Sequence, residues 1–379
     1  MRPTYGLWSR YARLRLLVAG GGTGGHLFPG IAVADEVIRR GDGEALFVGT
    51  SRGIETRAVP AAGYALETLD VSGLKRMGLL GTLRGLGRVP LAILRSMAIL
   101  RRFKPGVVLG VGGYASGPMV LAAALLGYPT AIQEQNSVPG ITNRVLGKLV
   151  RAVFIAFEDA ARFFPLRKIE RLGNPVRQKI VAALQGVSKA EGATKKLRIL
   201  VVGGSQGAKA VSDLVTAAAA ALSAAGLDFA LVHQTGSADF ERIQECYRTL
   251  GLADHVIVKA FIEDMATAYA EADLVVARAG ALTLAELAIA GRPAILIPLP
   301  TAADDHQRKN AAQFASAGAA LVLDQGGASG KELAAAIIEL AKDSAKRAGM
   351  GAAMRGLARP QAAQDIVDRL ERLARKPAG

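Results

Sequence analysis

The chain carries a single cysteine, Cys246, in 379 residues. No disulfide can form within it, and a reducing, cytoplasmic setting is expected. Histidine is nearly as scarce, with four residues that do not cluster with the cysteine at metal-ligand spacing, Asp304-Asp305-His306 being the nearest approach, and no D-x-D occurs. A built-in metal site is therefore not expected. The pattern G-x-x-x-x-G-K-[ST] is also missing, which excludes a P-loop kinase or ATPase. Met1 to Arg15 has no apolar run of secretory-signal length. It mixes Tyr5, Trp8 and Tyr11 with Arg2, Arg10, Arg13 and Arg15 and reads as an extension before the core. Charge is absent from Pro105 to Gln133, a stretch long enough to cross a bilayer. Gly110, Gly112, Gly113, Gly117, Pro118 and Pro129 interrupt it, so it reads instead as a strand at Val107 to Val111, a glycine loop, a helix at Met119 to Leu126 and a further strand. Acid is absent from Val71 to Arg102. Leu74, Met77, Leu79, Leu80, Leu83, Leu86, Val89, Leu91, Ile93, Leu94 and Met97 there alternate with Lys75, Arg76, Arg84, Arg88, Arg95, Arg101 and Arg102. A basic apolar segment of this kind suits an anionic membrane interface, and it equally suits a core helix with a solvated basic face.

What is present is a hydrophobic, globular composition with a net charge of +15, which attracts anionic partners. The length suggests more than one core. Two apolar runs, Leu16-Leu17-Val18-Ala19 and Ile199-Leu200-Val201-Val202, read as buried parallel strands. Each is followed by a glycine turn, Gly20-Gly21-Gly22-Thr23-Gly24-Gly25-His26 and Gly203-Gly204-Ser205-Gln206-Gly207. Such turns let main-chain N–H groups and a helix N-terminus come close to phosphates or polar ligands. A helix at Ile31 to Arg40, opened near Pro29 and stopped at Gly41, and a strand at Ala45 to Val48 continue a βαβ pattern. A strand at Val153 to Ala156 precedes Gly173-Asn174-Pro175, where a domain boundary is expected, and Gln178 to Lys196 reads as polar helix. Strands at 199–202, 229–232, 256–258, 274–276 and 294–297 then alternate with alanine-rich helices. The expected architecture is α/β, with two domains facing across a ligand cleft.

Gly20, Gly22 and Gly25 satisfy G-x-G-x-x-G, yet the second strand ends in Phe47-Val48-Gly49-Thr50, with no acid to hold a ribose. A dinucleotide-binding dehydrogenase is disfavoured on that ground. Asp304-Asp305-His306 reads as a cap or a loop lining. Thr283-Leu284-Ala285-Glu286 fits a capping box, with Thr283 at the cap.

Seven motifs, taken in register, resemble the MurG-type N-acetylglucosaminyltransferases of peptidoglycan synthesis. They are Gly21-Gly22-Thr23-Gly24-Gly25-His26-Leu27-Phe28-Pro29-Gly30, Gly112-Gly113-Tyr114, Glu134-Gln135-Asn136, Gly173-Asn174-Pro175-Val176-Arg177, Gly203-Gly204-Ser205-Gln206-Gly207, Gly280-Ala281-Leu282-Thr283 with Glu286, and Asp304-Asp305-His306-Gln307. The resemblance runs from about Arg15 to Gly318. It implies a GT-B fold, two Rossmann-like domains with parallel sheets facing across a cleft. The implied division is an acceptor and membrane-associating domain at 1–175, a UDP-GlcNAc donor domain at 176–358 and a helix at 359–379 returning to the first domain. The implied reaction is inverting transfer of N-acetylglucosamine to a lipid-linked muramoyl-pentapeptide on the cytoplasmic face of the membrane, by a peripheral protein without cofactor or metal. The basic segment at 71–102 then reads as lipid-facing.

The resemblance places His26 as general base, a role suited to an imidazole, whose ordinary pKa is about 6.5. It places Thr23, Gly24, Gly25, Asn136, Arg177, Ser205, Ile262, Ala281, Leu282, Thr283, Leu284, Ala285, Glu286 and Gln307 at the donor. Glu286 would accept the ribose hydroxyls, Ile262 would line the uracil edge with main-chain groups, Gln307 would lie near the sugar hydroxyls, and Arg177 would help hold the diphosphate. For Arg177 the plain structural alternative is a salt bridge. His233 and His255 read as structural. Partners implied are UDP-GlcNAc, the lipid-linked acceptor and an anionic membrane surface, with no nucleic acid. Two departures stand out. Gln133 occupies the place where the family commonly has histidine, which leaves His26 more isolated, and Ala279 replaces a serine near the phosphate. A UDP-GlcNAc 2-epimerase of the same fold, or a basic membrane or nucleic-acid adaptor, are the competing readings.

Overall fold

Leu16 and Val18 face one side of the first sheet and Leu17 and Ala19 the other, as the period-2 geometry of a strand requires, and all four are buried. The sheet is therefore covered on both faces, the arrangement that continuous apolar strands predict. In this computed structural model residues 14–41, 43–71, 79–185, 196–203 and 208–375 are described.

The chain divides into two compact units, Met1–Gln178 with Gln361–Gly379, and Lys179–Pro360. Among the described residues the first unit holds β1 (Arg15–Gly20), β2 (Glu44–Thr50), β3 (Ala65–Leu69), β4 (Val107–Gly112), β5 (Thr130–Glu134), β6 (Ala152–Ile155) and β7 (Ile169–Arg171). They pair in the order β3-β2-β1-β4-β5-β6-β7, parallel throughout. The second unit holds β8 (Leu197–Val202), β9 (Phe229–Gln234), β10 (Val256–Lys259), β11 (Leu274–Ala277), β12 (Ala294–Leu296) and β13 (Ala320–Val322), parallel in the order β10-β9-β8-β11-β12-β13. Both orders reverse direction once, beside β1 and beside β8, and the carboxyl ends of strands at such a switch point form a natural ligand crevice.

Strands β3, β7 and β13 carry no clear sequence signal. All three lie at sheet edges, where one flank is unpaired and composition is mixed, as in Ala-Leu-Glu-Thr-Leu of β3. The first helix runs Gly24–Arg39, not from Ile31, so Pro29 lies inside it. Thr23, in extended conformation, is its cap, and tertiary packing overrides the poor helix propensity of Gly24 and Gly25. The uncharged stretch forms β4, a helix Ser116–Leu125 and β5. Among the described residues no helix is long and apolar enough to cross a membrane. Of the polar helix expected at 178–196, Gln178–Gln185 is helical, Lys196 is not, and 186–195 lie outside the described residues, as do 72–78 of the basic segment.

The helix Ala362–Arg375 packs against Gly24–Arg39, placing Ile366, Val367 and Leu370 in the core that holds Leu16, Leu27 and Ile31. Arg40 donates to Asp368 at 2.6 Å and to the Gln364 carbonyl at 2.9 Å, fixing the register of the two helices.

Candidate functional site

At the switch point of the first sheet the β1 turn needs glycine for two separate reasons. Gly20, Gly21 and Gly22 all have positive φ, a conformation costly for other residues. A side chain at Gly21 would also collide with the carboxylate of Glu55. That carboxylate is fully buried and accepts hydrogen bonds from the Gly22 N–H at 2.7 Å, the Thr50 N–H at 2.8 Å and the Thr50 hydroxyl at 2.7 Å. Burial pushes its pKa up, but these donors outweigh burial and hold it below the ordinary value. The acid missing from the end of β2 thus arrives from Glu55, on the next helix, and it points into the turn rather than toward a ribose. The Gly21 N–H is also used internally, donating to the Gly112 carbonyl at 3.2 Å. The turn is therefore not the open phosphate cradle that its glycines suggest.

The helix that follows presents His26. A side chain at Gly112 would meet the imidazole Nδ1 at 2.9 Å, so the glycine that ends β4 makes room for this ring. His26 Nδ1 lies 2.9 Å from Gln135 Oε1. Gln133, expected to leave His26 isolated, instead joins it through Gln135, whose Nε2 donates to the Gln133 side-chain oxygen. Asn136 donates its N–H to Glu134 Oε1 at 2.9 Å, and burial raises the pKa of the Glu134 carboxyl. Arg177 stacks its guanidinium over the Phe28 ring at 5.2 Å. Thr23, Gly24, Gly25, His26, Asn136 and Arg177 accordingly belong to the first unit, at or after the carboxyl ends of its strands.

In the second unit, β11 leads through Arg278 to the helix Ala281–Ala290. Its cap is Gly280, with no side-chain hydrogen bond to the first turn. Thr283 therefore lies inside the first turn, and the expected capping box does not form. Ser329 and Glu332 make such a box elsewhere. Freed from that role, Glu286 accepts a hydrogen bond from the buried Tyr269 hydroxyl at 3.1 Å. Burial, with the Glu286 charge, raises the Tyr269 pKa well above its ordinary value, so the phenol remains a donor. A helix start favours anions through its dipole. Arg278 adds a half-buried cation beside it, anchored on the Ile297 and Pro298 carbonyls at 3.0 and 3.2 Å.

Gln307 accepts the Leu299 N–H at 3.0 Å, leaving its amide nitrogen without a hydrogen bond among the described residues. Asn310, which carries no signal in the sequence, ties the helix His306–Ser316 to the Ala279 carbonyl at 3.3 Å. Ile262 is buried, and its N–H donates to Gln234 Oε1 at 3.3 Å. Ser205 lies outside the described residues. Among the described residues no cluster of metal-ligating side chains occurs.

His233 is fully buried against Tyr247, and burial pushes its pKa down to about 4. Unfolded histidine titrates near 6.5, so between those values the unfolded chain binds the extra proton and stability falls as pH falls. Wild type is expected to lose on the order of 3 kcal/mol more than a His233→Asn variant between pH 7 and pH 4. Denaturant titrations of both proteins at the two pH values measure this, and parallel losses would refute it.

Family models for the glycosyltransferase family 28 N-terminal domain and C-terminal domain match residues 16–155 and 198–370. The chain is 48% identical over 362 residues to a UDP-N-acetylglucosamine--N-acetylmuramyl-(pentapeptide) pyrophosphoryl-undecaprenol N-acetylglucosamine transferase of Myxococcus xanthus, spanning 94% of this chain and 92% of that one. Its fold is similar to the crystal structure of Acinetobacter baumannii MurG, with a TM-score of 0.77 and 32% identity over 95% of this chain and 99% of that one. A UDP-N-acetylglucosamine 2-epimerase structure, at 13% identity and a TM-score of 0.64 over 95% of this chain and 96% of the other, shares the fold alone.

Proposed function

This chain belongs to glycosyltransferase family 28, and from that premise we infer that it moves N-acetylglucosamine from UDP-GlcNAc to the 4-hydroxyl of the MurNAc unit of undecaprenyl-pyrophosphoryl-MurNAc-pentapeptide, turning lipid I into lipid II. The 4-hydroxyl oxygen attacks the anomeric carbon, the bond from that carbon to the UDP oxygen breaks with inversion, and His26 takes the hydroxyl proton. The observation that carries the reading is the pairing, in one chain, of an imidazole at one switch point with a helix N-terminus and a carboxylate at the other. In this reading the first unit receives the acceptor and the second holds UDP-GlcNAc. Charge gathering on the departing diphosphate is met by the amides at the start of helix Ala281–Ala290 and by Arg278. Single-turnover transfer from labelled UDP-GlcNAc to a synthetic polyprenyl-pyrophosphoryl muramoyl acceptor tests this directly. Incubation with UDP-GlcNAc alone is the control, and epimerised sugar there would overturn the transferase reading.

In this reading the Glu286 carboxylate, an acceptor-only group beside Tyr269, takes the donor hydrogens of the ribose hydroxyls. Glu286→Ala is expected to weaken UDP binding roughly 10- to 100-fold, on the scale of about 1.5 to 3 kcal/mol for hydrogen bonds to a charged group. Calorimetry with UDP and 2′-deoxy-UDP measures it. Unchanged affinity with a lowered melting temperature would leave Glu286 as no more than a partner for Tyr269.

Peripheral attachment to the cytoplasmic membrane face belongs to the same reading. The helix Leu79–Phe103 buries Ile99, Leu100 and Phe103 but exposes Leu91 and Leu94 at 68% and 63%, with Arg95 and Arg101 exposed nearby. Packing and lipid contact thus have separate residues to use. A Leu91→Asp, Leu94→Asp double variant should bind anionic vesicles at least about tenfold more weakly, since each buried leucine is worth about 1.5 to 3 kcal/mol. Equal co-sedimentation of variant and wild type would refute the lipid-facing role.

A further inference from the structure

The carboxyl ends of β4 and β5 and the segment after β7 surround His26 with amides whose polarity is not free to reverse. Gln135, almost fully buried, donates from Nε2 to the Val111 carbonyl at 2.9 Å and approaches the Gln133 carbonyl at 3.3 Å. Main-chain carbonyls only accept, so the Gln135 NH₂ must face them and its Oε1 must face His26. The same nitrogen donates to the Gln133 side-chain oxygen, and Gln133 Nε2 donates to Asn174 Oδ1 at 2.9 Å. Asn174 Nδ2 closes the chain on the Gln135 carbonyl at 3.0 Å. Each donor points the same way along this buried chain, an arrangement in which hydrogen bonds polarise and reinforce one another.

We propose that Gln135, oriented by Gln133 and Asn174, is a positioning residue that fixes neutral His26 as the Nδ1–H tautomer and leaves Nε2 as the proton acceptor. Only a protonated Nδ1 can satisfy the oxygen that lies 2.9 Å away. Flipping the Gln135 amide to accommodate the other tautomer would set its oxygen against the Val111 and Gln133 carbonyls. An amide in this place orients the ring without the basicity change a carboxylate would bring. The nearby acid, Glu134, is engaged by the Asn136 N–H and by Asn143 Nδ2 at 2.8 Å. The consequence for catalysis rests on the transferase reading above, and the tautomer itself does not.

Full-length protein labelled with ¹⁵N-histidine, with the His26 ring signals identified by their loss in His26→Gln, reports the tautomer directly. The expected result is an Nδ1–H ring in wild type. In Gln135→Met and Gln133→Met the ring is expected to shift toward the Nε2–H form that free histidine prefers, with kcat lowered about 10- to 100-fold, within the range for a general base, and the UDP-GlcNAc KM unchanged. An Nε2–H ring in wild type would overturn the proposal without any variant having to fold. A Gln135→Met protein that loses the tautomer but keeps kcat would overturn its catalytic part. Failure of the transferase reading is distinguishable, because it appears as absent transfer in wild type whatever the ring nitrogens show.

Discussion

Replacing His26 with alanine is expected to lower transfer about 100-fold or more while leaving UDP affinity where it was, the signature of a lost general base. The reasoning is local. The ring stands on the helix that follows β1, at the carboxyl ends of the strands beside the switch point, and it is half-exposed. Its Nδ1 is occupied by Gln135 at 2.9 Å, so the other nitrogen is the one left to meet a hydroxyl. The ribose contact is assigned to Glu286 in the other unit and the first-unit donor contacts to residues other than His26, which is why binding should be spared. Pre-steady-state transfer and UDP calorimetry on the same preparation separate the two effects. Turnover equal to wild type would end the assignment of His26 as base.

Glu55→Ala should have the largest effect on stability. The substitution leaves the Gly22 N–H, the Thr50 N–H and the Thr50 hydroxyl without their acceptor in a buried site. Each orphaned donor costs roughly 1 to 3 kcal/mol, so a loss of about 3 kcal/mol or more is expected, before the cavity is counted. Since the His26 helix begins two residues after Gly22, turnover should fall as well. Glu55→Gln keeps the volume and one acceptor oxygen and should recover part of both losses. Denaturant unfolding followed beside transfer rate checks this. A Glu55→Ala protein with native stability would show that the carboxylate does not hold the turn.

The limits of the sequence are visible at particular residues. Alternation of apolar runs with glycine turns was enough to read parallel sheets and the switch-point loop after β1, because strand periodicity and positive-φ glycine are local properties. The capping box at Thr283 failed because a one-turn change in where a helix begins moves every cap position, and the box pattern alone does not set that register. Glu55 left no signal in spacing. Nothing in Gly53-Ile54-Glu55 announces that the side chain folds back beneath a turn more than thirty residues earlier. Edge strands β3, β7 and β13 were silent for want of burial on both flanks.

The amino-acid order by itself determined the α/β architecture and the motifs that carry the family, since these depend on short-range pattern and on residue identity. Tertiary structure alone decided the working details: that the Gly22 amide is spent on Glu55, that Glu286 is a partner of Tyr269 rather than a helix cap, and that Gln135 offers His26 an oxygen. Each of these is a matter of hydrogen-bond polarity, which is settled only when groups from separate strands and helices are brought within 3 Å or so of one another.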